Sequence, residues 1–138
     1  MKRRTKGGLL DTNVLVRFLL DDDPTQSPRA VALLKRLDEE GESADLEDII
    51  LAETVWVLEK GYGVPRVEVA RLLSTIVELS GVRCRSRRAV LAALSRYSVT
   101  PCDIVDCLLA AHARSRGLTV HSFDQDFKRL GCAWEEPR

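Results

Sequence analysis

Thr100-Pro101-Cys102-Asp103-Ile104-Val105-Asp106-Cys107-Leu108-Leu109-Ala110-Ala111-His112-Ala113-Arg114-Ser115-Arg116-Gly117-Leu118-Thr119-Val120-His121-Ser122 is the stretch whose reading decides the fold. Thr100 is placed to cap a helix, with Pro101 at its first position and Asp103 at its third. Arg114 and Arg116 fall near the negative end of the helix dipole, and Gly117 ends the helix. Leu118–Ser122 then reads as a strand. The same alternation of short apolar runs and longer amphipathic segments extends outward in both directions, and it predicts an α/β domain on a parallel sheet.

Upstream, Gly7–Leu10 reads as a short strand and Thr12–Leu20 as a helix. Over 26–40, Ala30, Leu33, Leu34 and Leu37 recur at helical spacing, which predicts one packed face. Ile49–Ala52 reads as the end of a strand, and Glu53–Lys60 as a helix stopped by Gly61 and Gly63. Pro65 opens another helix, with Val69, Leu72, Leu73 and Ile76 on one face and Gly81 at its end. Val82–Arg85 is a weak strand and 87–97 a helix. Downstream, Phe123–Leu130 reads as a turn and short helix, and Cys132–Trp134 as a last edge strand. No repeat, linker or low-complexity stretch interrupts the pattern, so 1–138 is read as a single domain.

The chain carries 21 Lys+Arg and 21 Asp+Glu, so its charges balance; 45% of its residues are apolar, an ordinary globular profile that excludes a disordered chain. No apolar run approaches the roughly 20 residues of a membrane span, and none follows the basic N-terminus as a secretory segment would. The expected location is the cytoplasm, with no membrane partner. Cys84, Cys102, Cys107 and Cys132, with His112 and His121, give no zinc-ligand spacing. Four reduced thiols are expected. No nucleophile elbow supports serine or cysteine catalysis.

Charge is unevenly spread. The segment 38–59 holds Asp38, Glu39, Glu40, Glu42, Asp45, Glu47, Asp48, Glu53 and Glu59 with no basic residue. The segment 82–100 holds Arg83, Arg85, Arg87, Arg88 and Arg96 with no acid. Either these are two solvated surfaces, or the arginines form a phosphate-contacting surface.

Certain carboxylates carry the chemistry. Asp11 ends the first apolar run, where a parallel sheet presents side chains to its ligand crevice; it is equally placed to cap the next helix. Glu53 interrupts Ile49-Ile50-Leu51-Ala52-Glu53-Thr54-Val55-Trp56-Val57-Leu58, where a charge is costly unless paired, hydrogen-bonded, metal-bound or exposed in a first helical turn. Asp103 and Asp106 share a helix face; Asp103 has a capping role open to it and Asp106 has none. Asp124 follows Val120-His121-Ser122-Phe123 at a strand end, and Asp126 reads as a turn residue. His112 continues an apolar face at the core edge. Four carboxylates gathered at one sheet edge repel unless a cation neutralises them, and all-oxygen donors select Mg²⁺ or Mn²⁺. An ion so held activates water and stabilises charge on a phosphoryl oxygen, the requirements of phosphodiester hydrolysis.

Leu9-Leu10-Asp11-Thr12-Asn13-Val14-Leu15, Leu51-Ala52-Glu53-Thr54-Val55-Trp56-Val57-Leu58, Asp103-Ile104-Val105-Asp106-Cys107-Leu108-Leu109-Ala110 and Ser122-Phe123-Asp124-Gln125-Asp126-Phe127 occur in that order. Together they resemble PIN-domain ribonucleases, most closely VapC-like toxins, from about Leu9 to Trp134. The resemblance implies a three-layer α/β/α sandwich around a four- or five-stranded, mainly parallel sheet. It also implies a homodimer, Mg²⁺- or Mn²⁺-dependent cleavage of RNA, and inhibition by a small antitoxin protein in a type II toxin–antitoxin pair. Its acidic set falls on Asp11, Glu53, Asp106 and Asp124, as metal ligands and catalytic groups. Asp103 matches an additional acid, and Asn13 and Ser122 match polar positions that support the acids or bound water. Ser122 stands where threonine is commoner. Rival readings are a structure-specific DNA or RNA nuclease outside toxin–antitoxin systems and a catalytically silent binding domain. A haloacid-dehalogenase-type phosphotransferase would want a second Asp where Asn13 stands.

Overall fold

The chain was studied as a computed structural model that describes residues 7–138; Met1 to Lys6, the basic N-terminus, lie outside the described residues. Strand β1 (Gly8–Leu9) leads into helices α1 (Thr12–Leu20) and α2 (Gln26–Glu39), then β2 (Ala44–Asp45) and α3 (Asp48–Trp56). A π-helical turn, Val57–Gly61, connects α3 to α4 (Arg66–Val77), followed by β3 (Val82–Arg83) and α5 (Arg87–Val99). Helix α6 (Ile104–Arg116), β4 (Thr119–His121), a 3-10 segment (Gln125–Leu130) and β5 (Ala133–Glu135) complete the fold.

Among the described residues five strands form two hydrogen-bonded ladders, β1-β2-β3 and β4-β5, and pairing within each ladder is parallel. Parallel neighbours demand crossovers, and helices supply them: α1 and α2 carry the chain from β1 to β2, and α3 and α4 from β2 to β3. Helices enclose the strands in the three-layer α/β/α manner, with α1 on α2, α3 on α1 and α6, and α5 between α4 and α6. Their inward faces form one core that includes Leu15, Leu34, Leu51, Val55, Leu73, Ile76, Val82, Leu94 and Ile104. All four cysteines are free thiols.

Three expectations are corrected. Ile49–Ala52 belongs to helix α3, because a short apolar run gives no periodicity to separate a buried strand from a buried helix. Leu51, Ala52, Thr54 and Val55 are all buried there, and the Thr54 hydroxyl donates to the Ile50 carbonyl at 2.7 Å. The strand missed by sequence is β2, two residues inside an acidic segment. Its place comes from long-range pairing, Ala44 between Gly8 and Val82. Thr100 does not cap α6. Helix α5 runs on to Val99, the Thr100 hydroxyl donates back to the Arg96 carbonyl at 2.8 Å, and Asp103 takes the N-cap position.

One glycine contact is decisive for this register. Gly81 is buried, and a β-carbon there would lie 2.2 Å from the carbonyl oxygens of both Glu42 and Leu37. The close approach lets the Gly81 carbonyl accept from the Ala44 amide at 2.9 Å, which aligns β3 beside β2.

Candidate active site

Asp11 and Asp124 follow strands β1 and β4, Asp103 and Asp106 open helix α6, and Glu53 lies within helix α3. Asp11 occupies the N-cap position of α1, where its carbonyl accepts from the Val14 amide at 3.1 Å. Its side chain makes no capping hydrogen bond, so the capping explanation fails and the carboxylate stands exposed and uncommitted. Beside it, the Thr12 hydroxyl is buried with no hydrogen-bond partner.

Asp103 and Asp106 are set by the start of α6. The Asp103 carboxylate leaves the cap unfilled and instead accepts from the Trp56 indole N–H at 2.9 Å, tying the end of α3 to the start of α6. Asp106 lies half-buried in the first turn. Burial holds its carboxyl above the ordinary range, and the negative charges of Asp103, Asp124 and Asp126 push in the same direction.

The turn after β4 supplies the remaining members. The Ser122 hydroxyl accepts from the Asp124 amide at 3.0 Å, and Asp124 Oδ1 accepts from the Asp126 amide at 2.9 Å. The Ser122 carbonyl in turn accepts from the Trp134 indole N–H at 3.0 Å. Asp124 therefore performs the turn-capping task that the sequence suggested for Asp126. Asp126 is half-buried and acts on Asp106, a role that only tertiary proximity reveals.

Asp103, Asp106, Asp124 and Asp126 are thus electrostatically coupled at Asp106. Glu53 and Asp11 enter this set through no ion pair or hydrogen bond among the described residues. Glu53 is exposed on α3, so the burial cost inferred from its apolar surroundings does not arise. Asn13 is exposed, lines a cleft between α1 and α2, and makes no side-chain hydrogen bond among the described residues. His112 is bound to a carboxylate at the core edge: its Nε2 lies 2.6 Å from Asp48 Oδ2. No group of three His, Cys, Asp or Glu side chains among the described residues stands in ready metal-holding geometry. The donor chemistry nevertheless fits a hard divalent cation: the coupled groups are all carboxylate oxygens with no sulfur or nitrogen donor between them.

Beneath α6 lies a polar network that the sequence did not signal. Arg66, at the start of α4, pairs with Glu59 at 2.9 Å, and its guanidinium lies 3.8 Å from the centre of the Tyr97 ring. It also donates to the backbone carbonyls of Tyr97 and Cys102, while the Tyr97 hydroxyl donates to Glu59. Burial alone would raise the Glu59 carboxyl, but the Tyr97, Lys60 and Arg66 partners outweigh it and hold it below its ordinary range. Burial and the Glu59 charge push the Tyr97 phenol far up, so it stays a donor. Because Cys102 immediately precedes Asp103, this network anchors the backbone from which the acidic start of α6 projects.

A parallel α/β domain with acids collected at strand ends and helix starts defines a class, and comparison gives it a family. The PIN domain family model matches residues 8–131, and the chain belongs to that family. It is also 28% identical over 130 residues to a VapC ribonuclease of Aquifex aeolicus (strain VF5), an alignment covering 94% of this chain and 96% of that protein.

Proposed function

We propose that this protein is a metal-dependent endoribonuclease that hydrolyses RNA phosphodiester bonds, the toxin of a type II toxin–antitoxin pair. One observation carries the reading: in a chain of the PIN domain family, Asp106 is half-buried in the first turn of α6 and opposed by the charges of Asp103, Asp124 and Asp126. The name borne by the Aquifex relative, a VapC ribonuclease, supplies the substrate class, RNA; the toxin role follows from the resemblance of the four motifs to VapC-like toxins.

Asp11, Asp106 and Asp124 are the residues assigned to hold Mg²⁺ or Mn²⁺, with Glu53 as a further ligand or the group that orients the attacking water. A bound divalent ion would supply an activated water and stabilise charge on the phosphoryl oxygen. The chain's own residues do the positioning. Ser122 fixes the Asp124 backbone and Trp56 fixes Asp103, and a bound cation would offset the repulsion on Asp106. Asn13 is assigned a supporting role toward the acids or bound water. A homodimer, a small antitoxin partner and a cytoplasmic location complete the reading. No helix among the described residues is long and apolar enough to cross a membrane.

The test is cleavage of a mixed-sequence RNA with added Mn²⁺, repeated with EDTA and with the Asp11→Asn variant. Cleavage by the wild type that EDTA and Asp11→Asn both abolish supports the mechanism. Equal cleavage by both proteins removes it, and no cleavage of any RNA favours a silent binding domain. Cleavage of branched or duplex DNA in preference to RNA would favour the structure-specific nuclease.

A further inference from the structure

Between α5 and α6 lies a cleft of about 470 Å³ whose lining includes Arg88, Ser95, Arg96, Arg114 and Ser115, with alanines on its floor and no acidic residue. Arg88 and Arg96 come from the arginine-rich segment of the sequence, and Arg114 joins them from the next helix. None of the three guanidinium groups makes an ion pair or a hydrogen bond among the described residues. Met1 to Lys6, the only residues outside that description, include no carboxylate. Two of the three converge: a methyl group placed on Gly131 would stand 3.3 Å from Arg96 Nη2 and 3.4 Å from Arg114 Nη1.

A second arginine-lined cleft, between α1 and α2, shows the usual alternative. It holds Arg17, Arg29 and Arg36, but Arg17 is paired with Asp22 at 2.9 Å and Arg36 with Glu42 at 3.0 Å. Like charges held together without carboxylates repel, so the α5–α6 cleft lacks an anion where the α1–α2 cleft has its own. Guanidinium forks beside serine hydroxyls match the oxygens of a phosphate, which they bind in pairs.

We propose that the α5–α6 cleft is a phosphate-binding subsite, with Arg96 and Arg114 as its principal contacts and Arg88 and the two serines at its margin. Its occupant is a phosphodiester of the RNA strand. The cleft and Asp106 share helix α6, and Arg114 lies eight residues beyond Asp106, about 12 Å along the helix axis. A strand held at the cleft is thereby directed along α6 toward the acids. The RNA assignment rests on the nuclease reading above; the phosphate chemistry of the cleft does not.

The experiment uses the full chain treated with EDTA, so that binding is read without cleavage. Inorganic phosphate is titrated while the backbone amide of Gly131 is followed by NMR, and labelled single-stranded RNA is titrated by fluorescence anisotropy at several salt concentrations. The variants are Arg96→Gln/Arg114→Gln and, as a control that removes equal charge elsewhere, Arg29→Gln/Lys35→Gln on the exposed side of α2; circular dichroism checks folding. We expect saturable phosphate shifts that the cleft variant loses. We also expect RNA affinity about tenfold weaker, with a salt slope shallower by about 2, in the cleft variant only. If the cleft variant does not fold, Arg96→Lys/Arg114→Lys replaces it, keeping charge but losing the forks, with a loss of severalfold expected. Phosphate shifts with unchanged RNA affinity would overturn the RNA assignment in favour of free phosphate or a mononucleotide. Equal losses in both variants, or a poly-glutamate peptide that binds as tightly as RNA, would overturn the subsite. Retained RNA binding at the cleft with no Mn²⁺-dependent cleavage would sink the nuclease reading while leaving the subsite standing.

Discussion

Asp106 is half-buried in the first turn of α6, and its ionised form is opposed first by burial and then by Asp103, Asp124 and Asp126. An acid whose folded pKa is raised costs the fold stability as pH rises from its unfolded to its folded pKa, because over that range the unfolded chain gives up the proton more readily. The metal-free protein is therefore expected to lose stability as pH rises from the ordinary aspartate range through the raised value of Asp106. Asp106→Asn removes this loss. Thermal unfolding in EDTA at neutral pH should show a slightly higher Tm. The same variant should lower RNA cleavage at least about 100-fold. Greater stability with lost activity is the signature of a charge kept for function; a Tm that falls would contradict it. Glu59 works with the opposite sign. Its depressed pKa contributes stability that is present above the ordinary glutamate range and lost as pH falls through the folded value.

At the scale of elements, two contacts decide how the helices meet at the acidic edge. Trp56 joins α3 to Asp103 through one indole hydrogen bond. Trp56→Phe keeps an aromatic side chain, though a smaller one, and removes the donor, so stability should fall by about 1 kcal/mol in urea unfolding and cleavage should fall severalfold. Arg66 ties the π-helical turn, α4, α5 and the backbone before α6 through Glu59, Tyr97 and Cys102. Arg66→Ala leaves Glu59 short of a partner and two carbonyls without a donor, and should cost about 2–3 kcal/mol. Arg66→Lys should recover little of this, because an ammonium group cannot reproduce the guanidinium fork or its stacking on Tyr97.

Across the whole molecule, the strands are only two or three residues long, so the sheet is held as much by its crossovers as by its ladders. Gly81 is where this economy is tightest. Gly81→Ala would place a methyl group against two backbone carbonyls, Glu42 and Leu37, neither of which can rotate away as a side chain does. The expected cost is about 3 kcal/mol or more, read as a lower urea midpoint, together with loss of protection from hydrogen exchange at the Ala44 amide. A fully tolerated alanine would contradict the close approach of Gly81 to the end of α2 and the loop before β2.

The sequence by itself determined the alternation of apolar runs and amphipathic helices, the helix faces, and the acids at junctions, because periodicity and turn chemistry are local. Thr12–Leu20 and the start of α5 at Arg87 match their expected limits, and the four motifs resemble those of the PIN family to which the chain belongs. Only the tertiary structure decided that Ile49–Ala52 is helical, that β2 exists, and that Asp103 rather than Thr100 begins α6. It also decided which acids act on Asp106, adding Asp126 and leaving Glu53 exposed, and it brought Arg114 beside Arg96. The physical reason is common to all of these. Charge repulsion, strand pairing and burial depend on distances across the fold, and those distances are set by how the helices pack rather than by spacing along the chain.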